Sequence, residues 1–425
     1  MSNSENSQKP HDRMASFLKD DMEAVNVLIR DRMASKHAPR IPEVTAHLVD
    51  AGGKRLRPML TLATAHLCGY DGPYHIHLAA TVEFIHTATL LHDDVVDESG
   101  QRRGRPTANL LWDNKSSVLV GDYLFSRSFQ LMVETGSLRV LDILSNASAT
   151  IAEGEVLQLT ASQDLRTTEE IYLQVVRGKT AALFSAATEV GGVIAGASDA
   201  HVAALFEYGD ALGVAFQIVD DLLDFQGDEK ATGKNVGDDF RERKLTMPLI
   251  KAVAKADAEE HAFWQRTIEK GKQQDGDLEH AISLLHKHGA LEDTKTAARS
   301  EAARAKAALS TLPEHPVKDM LTDLADYVVE RITLRAARRV PFDCQFLLRQ
   351  PTNQDDSIAA CRPPPSQRRR LGTAQSTSPP TPTFVPACSF RPTEAPLEPW
   401  RWTAQERLRH SACHCAVPPA TAQSR

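Results

Sequence analysis

The amino-acid sequence predicts an all-α fold, on three observations. Apolar residues recur with helical period from about residue 14 to about residue 338, with Gly, Pro and Asp breaking the pattern at intervals. Runs of alternating β-branched residues are few over that span. Its composition is rich in Ala, Leu and Glu.

The helices follow in order. A first periodic segment covers about 14–34, and the next, about 58–68, starts behind a basic loop of Gly52, Gly53, Lys54, Arg55, Leu56, Arg57 and Pro58. The third, about 75–98, is apolar or small on most faces from His75 to Leu91, which marks it as buried. Yet it ends on Asp93, Asp94 and Asp97. Unpaired interior charge is costly, so that ending hints at function. Segments 115–135 and 137–162 are parted by Gly136, and 168–191 is interrupted by Gly178, Lys179 and Thr180. Segment 199–226 carries a second acidic ending, QIVDDLLDF. Segments at about 246–270, 277–288, 291–309 and 316–338 complete the bundle.

Composition divides the chain. From Pro341 onward lie 14 of the 23 prolines, five of the six cysteines and no lysine. Residues 1–340 are therefore expected to form one folded domain, with its first ~12 residues flexible. Residues 341–425 form a Pro/Arg-rich tail with the composition of disordered chain. Of the net charge of −7, the tail's ten arginines and six acids leave −11 on the body. Such acidity argues against nonspecific nucleic-acid binding, which needs a basic footprint. Anionic small molecules can still be held by local arginines and bound metal. The N-terminal MSNSENSQKPHDRM lacks a signal-peptide core, no uncharged apolar run is long enough to form a transmembrane segment, and Cys68 stands alone in the body. These features predict a soluble, cytoplasmic protein without disulfide staples.

The acidic endings carry the chemistry. In a helix, residues i and i+4 share a face with i+1 beside them, so Asp93, Asp94 and Asp97 are expected to project together. Asp220, Asp221 and Asp224 repeat that spacing 127 residues later. One such set alone reads as a solvated acidic surface. Two sets ending apolar helices, the first followed by Arg102 and Arg103, read as halves of a site for several Mg2+ ions. Mg2+ takes one or two carboxylates and shares its shell with water and phosphate. Arginines fork onto phosphate oxygens. The chemistry that needs this is departure of a diphosphate, with apolar walls shielding a carbocation from water.

Other groups leave two readings open. The Gly52–Pro58 loop is a ligand-approaching loop or an ordinary basic turn, and it lacks Walker spacing. Gly178, Lys179 and Thr180 offer an ammonium and a hydroxyl, or only a packing glycine. Lys234 and Lys244 bind or are merely solvated, and His86 is a core histidine or a diphosphate contact on the face of Asp93.

The segments GGKRLRP, EFIHTATLLHDDVVDESGQRRG, GKT, FQIVDDLLDF, TGKNVGDD and LADYVVER, in order over about residues 13–335, resemble the trans-isoprenyl diphosphate synthases, or polyprenyl synthetases. The resemblance implies an isoprenoid-synthase-type bundle around a deep central cavity, a homodimer, and two or three Mg2+ ions per site. It implies Asp93, Asp97, Asp220 and Asp224 as metal ligands. Arg102, Lys179, Thr180, Gln217 and Lys234 match positions that hold the allylic diphosphate, and Lys54, Arg57, His86 and Arg103 those that hold isopentenyl diphosphate. The catalytic set it implies is Asp93, Asp94, Asp97, Arg102, Lys179, Asp220 and Lys234. In such enzymes the allylic C–O bond ionises, the isopentenyl double bond attacks the cation, and a proton is lost to the released diphosphate.

Product length follows from helix geometry. Thr89, Ile85 and Thr81 lie about 6, 12 and 18 Å below Asp93 at ~1.5 Å rise per residue. Short-chain members of the family place an aromatic four or five positions before the first aspartate, where this chain has Thr89 and Ala88. With Ala88, Thr89, Ile85 and Thr81 as open tunnel wall, the expected product is long, about C40 to C50, for a ubiquinone side chain and passed to membrane enzymes. A farnesyl or geranylgeranyl product is the alternative. Phe84, Phe125, Phe129 and Met132 are tunnel floor or core. A non-catalytic partner subunit typically loses aspartates, and a terpene cyclase mixes Asn, Ser/Thr and Glu in its second motif; neither pattern stands here. His410, Cys413, His414 and Cys415 fit no common zinc spacing. The tail departs from the family and reads as a dispensable extension or a reading-frame artefact.

Overall fold

The computed structural model describes residues 9–337 apart from 36, 51–52, 103–104 and 227–235. The chain divides into two units, Met1–Phe346 and Leu347–Arg425, the second wholly outside the described residues. In the first, helix follows helix. The order is α1 (Pro10–Phe17), α2 (Lys19–Met33), α3 (Arg40–Asp50), α4 (Leu56–Leu67), α5 (Tyr74–Val96), α6 (Ala108–Leu111), α7 (Asn114–Glu134), α8 (Leu138–Ala161) and α9 (Glu169–Val176). There follow α10 (Ala182–Ile194), α11 (Asp199–Gln226), α12 (Asp238–Arg241), α13 (Met247–Val253), α14 (Ala258–Trp264), α15 (Asp277–Lys287), α16 (Ala290–Ala308) and α17 (Pro316–Ala337). Among the described residues the sole β-ladder is the two-residue hairpin β1 (Gln101–Arg102) and β2 (Arg105–Pro106).

Four departures from the expected elements have local causes. The segment expected at 14–34 breaks at Leu18 into α1 and α2. The helix α3 lies between the first two expected segments; its Pro42 falls in the first turn, where a proline's missing N–H is not needed. The segment expected at 168–191 contains a π-helical turn, Arg177–Ala181. The segment expected at 246–270 restarts at Asp257, whose carboxylate accepts from the Glu259 and Glu260 amides while Glu260 reaches back to close a capping box.

Two apolar clusters hold the bundle. The larger runs from Met14 to Ile332 and includes Phe84, Ala88, Leu91 and Phe184. The smaller joins Leu78, Val82 and Ile85 of α5 to Met132, Leu144 and Leu183. So α5 is walled on both sides, as its apolar composition requires. Its neighbours include α7, α4, α2 and α10, while α11 packs on α10, α16 and α17. By length and composition α11 could cross a bilayer, but most of it is buried inside the bundle, as in the core helix of a soluble protein. These two long helices deliver the acidic endings.

Candidate active site

The aspartates do not project as one cluster. Successive helical residues are turned by about 100°, so Asp94 rotates into the bundle while Asp93 and Asp97 keep a common face. Asp94 is wholly buried and accepts from Arg102 Nε at 2.9 Å and Nη2 at 2.8 Å. The β1–β2 hairpin brings Arg102 back onto the helix it follows.

The second set repeats this division. Asp221 is buried and accepts from the Tyr172 hydroxyl at 2.6 Å and from Gln217 Nε2 at 2.7 Å. Thr180 donates to Gln217 Oε1 at 2.8 Å, so Thr180, Gln217, Asp221 and Tyr172 form one chain of hydrogen bonds. Asp220 keeps a 46% exposed side chain, with Arg331 Nη2 at 3.5 Å. The Asp224 carboxylate accepts from the amides of Asp238 at 3.2 Å and Asp239 at 3.1 Å, fixing the start of α12.

The π turn sets the cationic side. Its Gly178 lies so close to Gly154 of α8 that a Cβ on Gly154 would sit 2.6 Å from the Lys179 nitrogen. Such turns are frequent at functional sites. Lys179 Nζ then reaches Glu155 Oε2 at 2.8 Å. Lys244 bridges the two halves: its Nζ is 2.7 Å from Glu242 and 3.7 Å from Asp97. A cavity of about 160 Å³ opens among Lys179, Thr180, Gln217, Asp221, Asp239 and Lys244.

Burial dominates the electrostatics of the site. Burial pushes the Asp93 carboxyl up to about 7, against the pull of Lys179 and Arg102. Burial does the same to Asp221, up to about 7, although Tyr172 and Gln217 favour its ionised form. Asp239 is pushed well up by burial and by the charges of Asp221 and Asp224. Asp94 Oδ2 is buried without a hydrogen-bond partner. Desolvated carboxylates of this kind form a hard-oxygen donor set that suits Mg2+.

The basic loop meets α5 further from its acidic end, at Glu83 and His86. Arg55 takes a left-handed φ of +48° and donates to Glu83 and Asn26, each at 2.8 Å. Arg57 donates to His86 Nε2 at 3.2 Å and lies 4.5 Å over the Phe184 ring. Lys54 Nζ lies 5.2 Å over Tyr327, and Arg331 5.2 Å over Phe216, so α17 closes on both the loop and the second aspartate set.

The structure thus brings together Arg57 and His86, with Lys54 of the same loop over Tyr327, and separately Lys179, Thr180, Gln217 and the aspartates. Arg103 and Lys234 lie outside the described residues. Thr81, Ile85 and Ala88 are fully buried, while Thr89 is half-buried with its hydroxyl on the His86 carbonyl. Phe84 and Met132 are core, and Phe129 is 38% exposed. Glu155, Tyr172, Asp239 and Arg331 were missed. Arg331 and Asp239 had a signal, their places at the ends of LADYVVER and TGKNVGDD.

The chain is similar to known proteins. Residues 38–285 match the family model described as polyprenyl synthetase. The octaprenyl diphosphate synthase of Escherichia coli (strain K12) is 45% identical over 311 residues, 73% of this chain and 96% of that protein. The crystal structure of a decaprenyl diphosphate synthase from Rhodobacter capsulatus is 74% identical with a TM-score of 0.74, covering 76% of this chain and 99% of that one. A polyprenyl synthase from Caulobacter crescentus CB15, solved with calcium and isoprenyl diphosphate, is 50% identical with a TM-score of 0.73, covering 76% of this chain and 98% of that one. With the family model matching residues 38–285 and relatives at 45% identity or more covered almost end to end, this chain belongs to the polyprenyl synthetase family.

Proposed function

We propose that this chain is a trans-prenyltransferase that elongates an allylic diphosphate with isopentenyl diphosphate to a long all-trans polyprenyl diphosphate, about C40 to C50. The observation that carries it is the pairing of two aspartate sets, with Asp93 and Asp221 desolvated, with separate cation groups at Lys179 and at Lys54–Arg57. The octaprenyl and decaprenyl names of the relatives support the length. When bound, Mg2+ stabilises the departing diphosphate oxygens. Asp93, Asp97, Asp220 and Asp224 would hold it. Asp94 orients Arg102, and Asp221 orients Gln217, beside an allylic diphosphate held by Arg102, Lys179, Thr180, Gln217 and Lys234. Lys54, Arg57, His86 and Arg103 hold isopentenyl diphosphate. Incubation with Mg2+, farnesyl diphosphate and radiolabelled isopentenyl diphosphate tests the reading. A labelled polyprenyl diphosphate is expected, and no incorporation or a cyclic hydrocarbon would reject it.

The raised Asp93 gives a pH prediction. In the metal-free protein its carboxyl is protonated below about 7, so a metal ion must displace that proton. Mg2+ affinity is expected to fall as pH drops through 7, by about tenfold per unit. Calorimetry in buffers of different ionisation enthalpy checks the proton release.

The chain acts as a homodimer in the cytoplasm, supplying a product for membrane-bound quinone assembly. Support for self-association is the apolar surface of α7, where Leu119 is 66% and Val133 65% exposed beside Val118 and Phe129. Leu119→Arg with Val133→Arg is expected to shift the sedimentation peak from dimer to monomer. Truncation after Arg339 is expected to leave elongation within about twofold of the full chain, since the family match ends well before it. A steady-state assay on both forms checks this.

A further inference from the structure

We infer that Asp21, His66 and His75 form a second metal site, separate from the aspartate sets, that takes Zn2+ or a transition-metal ion of similar chemistry. The inference stands apart from the elongation reading and needs none of its residues.

The three residues come from three helices. Asp21 lies in the first turn of α2, His66 in the last turn of α4, and His75 is the second residue of α5. Gly69, at φ +75°, turns the chain between the two histidines. One ligand atom from each residue lies within 4.8 Å of the other two. Asp93 is 18 residues further along α5 than His75, about 27 Å at the helical rise. The cluster therefore sits at the opposite end of α5 from the acidic ending.

Asp21 faces both rings. His66 Nε2 stands 2.5 Å from Asp21 Oδ2, a hydrogen-bonded contact. His75 Nε2 stands 3.5 Å from Asp21 Oδ1, well outside the roughly 2.7–2.9 Å of a charge-assisted hydrogen bond. That separation instead matches two ligands of one tetrahedral ion, about 3.4 Å apart for bonds of about 2.0–2.1 Å. His75 is only 9% exposed, and its Nδ1 is buried without a hydrogen-bond partner. A simple histidine–carboxylate pair leaves such a buried imidazole poorly served. Aromatic edges fix the ring planes. The His66 and His75 centroids are 5.5 Å apart at 78°, with Tyr70 5.5 Å from His75 and Phe17 5.9 Å from His66. Held nearly perpendicular, the two imidazoles do not stack, and an Nε2 of each meets one carboxylate.

Two imidazoles and one carboxylate suit Zn2+ better than Mg2+, which takes oxygen ligands. Three protein ligands leave a fourth position for water. The His66 side chain is 32% exposed and that of Asp21 27%, which gives an ion a way in and lets the 2.5 Å contact open. A bound ion would staple α2 to the turn between α4 and α5.

The test is Zn2+ binding to the full chain, without a purification tag and in excess Mg2+ to compete for the other carboxylates, read by calorimetry and X-ray absorption. One Zn2+ is expected, with nitrogen and oxygen neighbours at about 2.0–2.1 Å and the scattering of two imidazoles. Asp21→Asn and His66→Gln, both at partly exposed positions, are each expected to weaken it more than about 100-fold, beyond what loss of a supporting partner costs. Zn2+ is also expected to raise the unfolding temperature of the wild type and of neither variant. A wild-type chain that binds no Zn2+ overturns the inference. So does zinc held only through sulfur at about 2.3 Å, the mark of the tail cysteines, or zinc bound with undiminished affinity by both variants.

Discussion

Asp93→Asn is expected to lower kcat by roughly 10³-fold or more, the scale on which one preorganised electrostatic group acts in a water-poor site. The fold is expected to survive. Burial already disfavours the Asp93 carboxylate, up to about 7, so the native state holds a proton there that the unfolded chain releases near its ordinary value. A carboxyl raised in this way stabilises the fold at low pH, and that contribution is lost as pH rises from the ordinary carboxylate range through 7. At pH 8 without metal, the neutral amide removes that cost. The metal-free variant should therefore unfold at the same temperature as the wild type or a higher one. Asp94→Asn differs: it takes the charged partner from Arg102 at 2.8 Å inside the bundle and should destabilise the chain. Thermal unfolding and single-turnover incorporation of labelled isopentenyl diphosphate, measured on both variants, separate the two roles. An Asp93→Asn enzyme with near-normal turnover would rule Asp93 out as a metal ligand.

What was legible in the sequence was periodicity and spacing; what was hidden was direction. The apolar faces of α5 and α11 and the two acidic endings stand in the linear pattern, because burial along 3.6 residues per turn leaves that trace. The same pattern does not say which of two adjacent aspartates turns inward. Asp94 and Asp221 do, and each is met by a partner the spacing does not announce: Arg102 through a hairpin and Tyr172 from another helix. The π turn at Lys179 was marked only as an interruption by Gly178, Lys179 and Thr180; that the chain stays helical through it, with the wider turn, is not in the pattern. Glu155 becomes part of the site only through tertiary approach, at the Gly154–Gly178 contact, and the role of Asp239, the last residue of TGKNVGDD, shows only at the Asp224-capped start of α12. Arg331 waits for α17 to fold back onto Asp220.

Thr89→Phe is expected to convert the long product into one of three or four isoprene units with turnover retained. Thr89 lies one turn below Asp93 on the shared face, about 6 Å down. It is half-buried, and its hydroxyl is turned onto the backbone of its own helix at His86 O, which leaves a small side chain and no cross-helix bond to lose. An aromatic ring there stands across the path of a growing chain while leaving every aspartate and cation in place. Ala88→Phe tests the adjacent wall under harsher conditions. Ala88 is fully buried in the larger cluster, so the added ring overpacks a filled core at about 1–3 kcal/mol. If the path runs along this face, both variants shorten the product, and Ala88→Phe also lowers the unfolding temperature. If Ile85 or Thr81 marks the stopping depth instead, one and two turns further down, Ile85→Phe is the variant that shortens it. Chromatography of dephosphorylated products distinguishes these cases. Unchanged chain length in folded, active Thr89→Phe and Ala88→Phe enzymes would place the growing tail on another face of α5.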